Sequence, residues 1–219
     1  MHLIIVGAGR TGKHVIQEAT KDGHDVVVIE KEEKVAGWAA THYDCMVIQA
    51  DASSMDALKE AKAEKADALI ATTNDDAVNM LVIMLGKELG IKRLISSVTD
   101  EGHIRLFEQM GVDTVESPFR LNGQYLYRAV QRPSVKDFLD LGGGAEIIEL
   151  TVKKNSPIAG KLIKQLHKEN LLPKDARIVA VKRKTDIIIP EGDTALLEGD
   201  LVAVLSKQGA TEELVHVFK

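Results

Sequence analysis

The stretch His2–Gly12, HLIIVGAGRTG, decides the fold, because a short run of Leu, Ile and Val ends directly in Gly7-Ala8-Gly9-Arg10-Thr11-Gly12. A G-x-G-x-x-G pattern is weak alone, but here it follows a predicted strand and opens a predicted helix. Gly7 would make the tight turn, Gly9 would let the backbone approach a phosphate, and Gly12 would let the helix pack on the sheet. Backbone N–H groups and the helix dipole would then favour an anionic diphosphate at this turn.

Outward from this turn, short apolar runs alternate with amphipathic segments. The runs are typical of strands buried on both faces, and we predict strands over His2–Val6, Val26–Ile29, Met46–Ile48, Ala68–Ala71, Leu94–Ile95 and Thr114–Val115. Apolar residues three or four apart predict helices over Thr11–Asp22, Glu32–Thr41, Met55–Ala63, Ala77–Leu89 and His103–Met110. Strands joined by single helices need crossover connections, so we expect an α/β fold with a doubly wound, Rossmann-like parallel sheet of about six strands.

After Pro118 the pattern changes to one helix, predicted over Leu121–Val130, and then to a β-rich texture that begins beyond the turn Gly142-Gly143-Gly144. Further strands are predicted over Ile147–Val152, Ile178–Lys182, Ile187–Ile189 and Leu201–Leu205, with helices over Ala159–Lys168 and Thr211–Val217. We therefore expect a nucleotide-binding domain over residues 1–118, a connecting helix and linker over 119–136, and a smaller α+β, β-rich domain over 137–219.

The composition is that of a globular protein. Of the 219 residues, 45% are hydrophobic and 28% are charged, a balance that argues against intrinsic disorder. The net charge of −5 argues against a nucleic-acid partner, because such proteins usually carry a basic surplus. The longest apolar run, Met80–Leu85, is far shorter than the ~18 residues of a membrane span, and the opening residues do not resemble a signal peptide. A single cysteine, Cys45, excludes an internal disulfide and indicates a reducing, cytoplasmic compartment.

Polar side chains follow several of the predicted strands. Glu30 ends the second strand, where a carboxylate can accept both ribose hydroxyls and repel a 2′-phosphate. This favours NAD or an adenine nucleotide over NADP. The neighbouring positive charge of Lys31 weakens the exclusion of NADP slightly. Because ligands lie at the carboxyl ends of strands in open α/β sheets, the other strand ends should line the same crevice. The candidate cofactor-binding residues are Gly7, Ala8, Gly9, Arg10, Thr11, Gly12, Glu30, Lys31, Asp51, Ala52, Thr72, Thr73, Asn74 and Val98. Side chains that would instead cap helices are Asn74 or Asp75, Ser53 or Ser54, and Asp100.

The usual catalytic patterns are missing from the sequence. No Tyr-x-x-x-Lys pair, no Gly-x-Ser-x-Gly and no pair of histidines at metal-ligand spacing occurs. His42 and Cys45 form only a lone pair of possible ligands, and a half-exposed helix end is the favoured interpretation. The predicted nucleotide site therefore has no evident catalytic partner, which favours ligand sensing over turnover. An NAD-dependent oxidoreductase and a stand-alone ligand-sensing module are the alternatives.

Seven segments carry a resemblance to a known family. They are Ile4–Val15 (IIVGAGRTGKHV), Val28–Lys31 (VIEK), Ile48–Ser53 (IQADAS), Ala66–Gly90 (ADALIATTNDDAVNMLVIMLGKELG), Val112–Pro118 (VDTVESP), Asn155–Lys161 (NSPIAGK) and Ile187–Asp200 (IIIPEGDTALLEGD). With this spacing the chain resembles the TrkA/KtrA family of RCK (regulator of conductance of potassium) proteins. The resemblance implies that the chain is not an enzyme but a regulatory subunit that gates a potassium uptake system through ligand-dependent rearrangement of a homodimer or ring. It also implies a cytoplasmic location at the inner face of the cell membrane, on a TrkH/KtrB-like membrane subunit.

The same resemblance implies roles for individual residues, with NAD(H) or ATP/ADP as the cofactor. The glycines of the opening turn would cradle phosphates, Glu30 would hold the ribose, Asp51 would lie near the adenine, and Thr73 and Asn74 near the ribose–phosphate region. Arg10 would reach a terminal phosphate, of its own subunit or across the dimer, and Glu116 would help to hold a cation at the dimer interface. The second domain would bind a small effector. The chain departs from the family's common Gly-Asp-Ala-Thr, since it has Ala50-Asp51-Ala52-Ser53, in which the hydroxyl survives.

Overall fold

The first unit, residues 1–123, is built on a parallel sheet. In this computed structural model, which describes residues 1–219 apart from the side chain of residue 167, its strands are β1 (His2–Val6), β2 (Asp25–Glu30), β3 (Met46–Gln49), β4 (Ala68–Ala71), β5 (Arg93–Ser97) and β6 (Thr114–Glu116). They lie in the order β3-β2-β1-β4-β5-β6, and every neighbouring pair is parallel. This order confirms the expected doubly wound, Rossmann-like sheet.

Each predicted helix of the first unit is present: α1 (Arg10–Lys21), α2 (Glu33–His42), α3 (Met55–Glu60), α4 (Asp76–Glu88) and α5 (Ile104–Met110). Helix α3 ends earlier than predicted because Lys62 adopts a left-handed φ of 56° before a 3-10 turn over Ala63–Lys65. Helix α5 begins later than predicted, after another 3-10 turn over Glu101–His103 that Asp100 caps. Helix α6 (Pro118–Gln131) begins in the first unit and ends in the second.

The core of the first unit lies on both faces of its sheet. Successive side chains of a strand point to opposite faces, so Ile4 and Val6 of β1 join one apolar cluster while Leu3 and Ile5 join another. Ile4 and Ile5 are both fully buried, which shows that helices cover both faces. The apolar strands thereby leave the polar loops at their carboxyl ends as the place where a site can form.

The second unit, residues 124–219, contains an antiparallel sheet. Its strands are β7 (Val135–Gly142), β8 (Ala145–Thr151), β9 (Ala176–Arg183), β10 (Asp186–Ile188) and β11 (Leu201–Ser206), in the order β10-β9-β11-β8-β7. Two short helices, α7 (Ile163–Lys168) and α8 (Glu212–Val217), accompany the sheet. The expectation of a smaller α+β, β-rich second part is confirmed.

Two details of the second unit differ from the sequence prediction. Strand β7 does not follow from the sequence pattern, because its Leu139 and Leu141 are at least half exposed and it lacks the alternation of a half-buried strand. Residues 135 and 136 of the predicted linker belong to this strand. Helix α7 begins at Ile163 instead of Ala159, because Gly160 adopts a left-handed φ of 78° that a helix cannot contain. Within the part of the chain that the structure describes, no helix has the length and apolar character to span a lipid bilayer.

Candidate functional site

A cavity of about 340 Å³ lies at the carboxyl ends of β1, β2, β3 and β4. Nine of the predicted cofactor-binding residues line it: Gly7, Gly9, Glu30, Lys31, Asp51, Ala52, Thr72, Thr73 and Asn74. Its other lining residues are Val6, Ile29, Glu32, Val35, Ala50, Asp75 and Val78. The sheet therefore brings together polar loops that are far apart in the sequence, at the place where open α/β sheets hold their ligands.

The turn between β1 and α1 depends on two glycines that pack against protein backbone. Gly7 has a left-handed φ of 90°, and a Cβ on it would lie 3.2 Å from the Thr72 carbonyl carbon. A Cβ on Gly12 would lie 1.9 Å from the Gly7 carbonyl oxygen, which no side chain can tolerate. The Thr72 hydroxyl fastens the turn by donating to the carbonyl oxygens of Val6, at 3.0 Å, and Gly7, at 2.9 Å. Gly7 and Gly12 are thus required by the fold of the loop itself.

Gly9 differs from these two glycines, although it belongs to the same motif. A Cβ on Gly9 would meet no protein atom within 4 Å, and its φ of −69° is open to any residue. Gly9 is the N-cap of α1, where it offers no side-chain cap, and the first turn of α1 contains no acidic residue. Gly9 also lines the cavity, so the N-terminus of α1, with its free N–H groups and positive dipole end, begins at the cavity wall, an arrangement that favours an anionic group.

Glu30 connects the glycine turn to the end of β2. The residue is 8% exposed, and its carboxylate accepts hydrogen bonds from the Ala8 N–H at 2.7 Å and from the Glu32 N–H at 2.9 Å. Each carboxylate oxygen has lone pairs left for a second donor, such as a ribose hydroxyl. The carboxylate is thus held in a fixed orientation beside the cavity.

Asp51 lies in the loop after β3, on the same cavity. Its carboxylate accepts the Ser53 N–H at 2.9 Å, and hydrogen bonds from Ser53, with the side chain contributing most, hold the pKa of Asp51 below its usual value. Ser53 is the residue that replaces the family's threonine, and its backbone N–H makes this contact to Asp51. Asp51 is ionised at neutral pH and presents a negative charge to the rim of the cavity.

Asn79 is a residue of this region that the sequence analysis missed. It is fully buried in α4, and its amide oxygen accepts the Thr73 N–H at 3.1 Å and the Thr73 hydroxyl at 2.7 Å. Its amide nitrogen donates to the carbonyl oxygens of Thr73, at 3.1 Å, and Ser97, at 3.3 Å. Asn79 thus fixes the cavity loop after β4 to the end of β5. Its only signal in the sequence is a polar residue among the apolar residues that begin α4.

Helix α4, unlike α1, has a side-chain cap. The Asp75 carboxylate accepts the N–H groups of Ala77, at 2.9 Å, and Val78, at 3.2 Å, so of the two predicted candidates Asp75 is the cap and Asn74 is not. Ser54 caps α3 in the same manner.

Several predicted site residues do not line the cavity. Ala8 and Gly12 are buried in the glycine turn, and Arg10 and Thr11 lie in the first turn of α1, where Arg10 is exposed. Val98 is 1% exposed within the core, and its N–H donates to the Glu116 carbonyl oxygen at 2.9 Å, so it packs the sheet and does not face the cavity.

The acid proposed for a cation, Glu116, also lies outside the cavity. Its carboxylate accepts a hydrogen bond from the Arg120 guanidinium at 3.1 Å, in an exposed pair. Among the described side chains, no cluster of three or more possible metal ligands occurs. A role of Glu116 in holding a cation remains a prediction.

Comparison with known families identifies the chain. A family model of the TrkA-N domain matches residues 3–118, and a model of the TrkA-C domain matches residues 147–219. The chain belongs to the TrkA family. The resemblance drawn from the sequence motifs is therefore confirmed, and both halves of this TrkA-family chain contribute to it.

Curated relatives match this TrkA-family protein along its whole length. A Trk system potassium uptake protein TrkA homolog of Methanothermobacter thermautotrophicus is 35% identical over 220 residues, covering 100% of this chain and 99% of the relative. A homolog of Pyrococcus abyssi is 34% identical, covering 100% and 98%. The Trk system potassium uptake protein TrkA of Mycobacterium tuberculosis is 30% identical, also covering 100% and 98%.

Solved structures share the fold of this TrkA-family chain at lower identity. The structure titled "GsuK channel bound to NAD" superposes with a TM-score of 0.66 at 20% identity, covering 99% of this chain and 38% of the channel chain. The GsuK RCK domain superposes with a TM-score of 0.65 at 21% identity, covering 99% and 46%. The chain thus spans less than half of these solved chains, and the similarity establishes the RCK fold.

Proposed function

We propose that this chain is a regulatory subunit of a membrane potassium transporter and that it binds NAD or an adenine nucleotide in the cavity at the glycine turn. The observation that carries the proposal is the open space beside Gly9, at the uncapped N-terminus of α1. The other two motif glycines are explained by backbone contacts, whereas no protein atom lies within 4 Å of a Cβ on Gly9, which leaves room for a ligand there. The names of the TrkA relatives support the link to potassium uptake.

In the proposed complex, the diphosphate lies over Gly9 and the first turn of α1, where backbone N–H groups are available. Glu30 accepts the ribose hydroxyls, Asp51 lies toward the adenine end, and Arg10 is free to approach a further phosphate. The carboxylates of Glu30, Glu32 and Asp51 line the cavity on the ribose side. Among the described residues that line it, Lys31 is the one with a positive charge. This balance disfavours a 2′-phosphate, so NAD or an adenine nucleotide fits better than NADP.

We further propose that the ligand acts by changing the assembly and not by being transformed. None of the described residues that line the cavity is a histidine, cysteine or tyrosine, and the carboxylates of Glu30 and Asp51 already accept backbone N–H groups, which supports a binding role for them. A nucleotide that binds one arrangement of a homodimer or ring better than another shifts the balance between them. A coupling of about 1–3 kcal/mol would change affinity roughly 5- to 150-fold, enough to gate a membrane partner from its cytoplasmic side.

Calorimetric titration of the purified chain with NAD⁺, NADP⁺ and ADP tests the binding proposal. We expect NAD⁺ and ADP to bind, and NADP⁺ to bind at least about tenfold more weakly because its 2′-phosphate meets the carboxylates. Replacement of Glu30 by Gln should narrow the gap between NAD⁺ and NADP⁺, since it removes one of the repelling charges. Equal binding of NAD⁺ and NADP⁺, or no binding of any of them, would contradict the assignment of the site.

Solution scattering tests the regulatory part of the proposal. The chain is measured alone, with NAD⁺ and with ADP at saturating concentration, and the expected result is a ligand-dependent change in the scattering profile. The same samples are then mixed with the membrane subunit of a Trk-type transporter. Identical profiles in all three states, together with failure to associate with that subunit, would contradict the regulatory role and favour a stand-alone binding module.

A further inference from the structure

Asp76 joins the loops that follow the carboxyl ends of β4 and β5 in the first unit. It is the first residue of α4, and its side chain is 7% exposed. One carboxylate oxygen accepts the Thr99 N–H at 2.8 Å, and the other accepts the Asp100 N–H at 3.0 Å and the Nδ1–H of His103 at 2.8 Å. A single buried carboxylate thus holds the segment after β5 against the start of α4.

This contact continues directly into the candidate cavity. Thr73, Asn74 and Asp75 line the cavity and immediately precede Asp76 in the chain. The Thr99 hydroxyl also donates to the Asn74 carbonyl oxygen at 3.4 Å, which adds a second link between the same two loops. Asp76 and His103 themselves do not line the cavity, so any effect that they have on a ligand must pass through the position of this loop.

Charge makes the contact sensitive to pH. The charged groups that face the His103 ring are Asp76, from α4, and Asp100, from its own 3-10 turn. The hydrogen bond to Asp76 raises the pKa of His103 above its usual value, and the ring is partly exposed, so protons can reach it. Burial acts to raise the pKa of Asp76, but hydrogen bonds from Asp100, His103 and Thr99 outweigh it and leave that pKa lowered. Near pH 6 both partners are therefore charged.

We propose that Asp76 and His103 are positioning residues for the nucleotide loop, so that protonation of His103 strengthens nucleotide binding. This inference rests on the proposed function of the cavity. A charged imidazolium donates a stronger hydrogen bond to a carboxylate than a neutral ring does. Protonation therefore holds Thr73–Asp75 more firmly in the position that shapes the cavity. The loop then loses less conformational freedom when the ligand binds, so the affinity is higher.

The direction of the pH dependence follows from the pKa of His103 in the folded chain. The charged pair stabilises the folded chain fully below the pKa of His103 in the unfolded chain, about 6.5. This stabilisation is lost as the pH rises through the higher pKa that His103 has in the folded chain. Because linkage is reciprocal, nucleotide binding should in turn favour protonation of His103. Affinity should therefore fall between pH 6.0 and pH 8.5.

The test is calorimetric titration with NAD⁺ at about pH 6.0 and pH 8.5. NAD⁺ is the suitable probe because its diphosphate lacks the terminal phosphate that titrates near pH 6. The variants are His103→Asn, whose amide can replace the Nδ1 donor without titrating, and His216→Asn, an exposed histidine of the second unit that serves as the matched control. We expect the wild type and His216→Asn to bind on the order of threefold to tenfold more weakly at the higher pH, and His103→Asn to change less than about twofold.

The possible outcomes separate the two proposals. If His103→Asn keeps the pH dependence of the wild type, or if the wild type has none, the positioning role is wrong while nucleotide binding stands. If the wild type binds no nucleotide at either pH, the proposed function fails and this inference fails with it. His103 is half-buried, so circular dichroism and the unfolding midpoint of His103→Asn at pH 8.5 show whether the variant is folded as the wild type is.

Discussion

The N-termini of α1 and α4 lie on the same cavity, yet they are built in opposite ways. At α4 the Asp75 carboxylate accepts two N–H groups of the first turn, and Asn79 makes three hydrogen bonds to Thr73 of the preceding loop and a fourth to Ser97 of β5. At α1 the N-cap is Gly9, without a side-chain cap and with empty space beside it. The N–H groups at the start of α4 therefore have a side-chain acceptor, whereas the N-cap of α1 supplies none. This difference supports the proposal that the ligand binds at the N-terminus of α1.

Gly12→Ala should produce the largest effect, because the α1 turn has no room beside this glycine. The new Cβ would lie 1.9 Å from the Gly7 carbonyl oxygen, a backbone atom, so the turn must shift. We expect the free energy of unfolding to fall by about 3 kcal/mol or more, measured by urea denaturation followed by circular dichroism.

The matched control for this substitution is Gly37→Ala, within helix α2. A Cβ there meets nothing within 4 Å, and the better helix propensity of Ala should raise stability by up to ~1 kcal/mol. A Gly12→Ala variant as stable as the control would show that the turn is not closely packed.

Asn79→Asp should have the next largest effect, this time on the α4 side of the comparison. The substitution keeps the shape but replaces two donors by an acceptor, which then faces the carbonyl oxygens of Thr73 and Ser97 in a fully buried position. We expect a loss of about 2–3 kcal/mol in the free energy of unfolding.

Asn74→Asp serves as the control for Asn79→Asp, since Asn74 is exposed in the same loop. Urea denaturation of this variant should give a free energy of unfolding within about 0.5 kcal/mol of the wild type. If both variants lose the same stability, the effect comes from the added charge and not from the buried amide.

These residues also show how far the sequence alone could predict the site. The motif and Glu30 could be assigned because strand–glycine–helix spacing is a local pattern, and the resulting parallel sheet then fixes which strand ends meet. Asn79 could not be assigned, because a polar residue inside an amphipathic helix gives no sign of which loop it contacts. The different reasons for glycine at positions 9 and 12 also required coordinates, since they depend on backbone atoms that fold back from Gly7.

Gly9→Ser makes the α1 terminus resemble that of α4, and it should affect binding more than folding. A serine at the N-cap can accept an N–H of the first turn, so the free energy of unfolding should stay equal or rise by a few tenths of a kcal/mol. The side chain would at the same time occupy the space proposed for the diphosphate, and we expect NAD⁺ affinity to fall about tenfold or more. Calorimetry and urea denaturation on the same sample measure both quantities. Unchanged affinity would place the ligand elsewhere.

Asp75→Ala should have the smallest effect, because it removes a cap from a helix that Asn79 and the core still hold. Loss of the two hydrogen bonds to Ala77 and Val78 should lower the free energy of unfolding by about 1 kcal/mol. Asp75→Asn is the informative companion, since asparagine caps as well as aspartate but carries no charge. If Asp75→Asn restores stability and also strengthens NAD⁺ binding slightly, the carboxylate serves the helix and only repels the ligand. If Asp75→Asn is as destabilised as Asp75→Ala, the charge and not the hydrogen-bond geometry stabilises α4, and the contrast between the two termini is electrostatic.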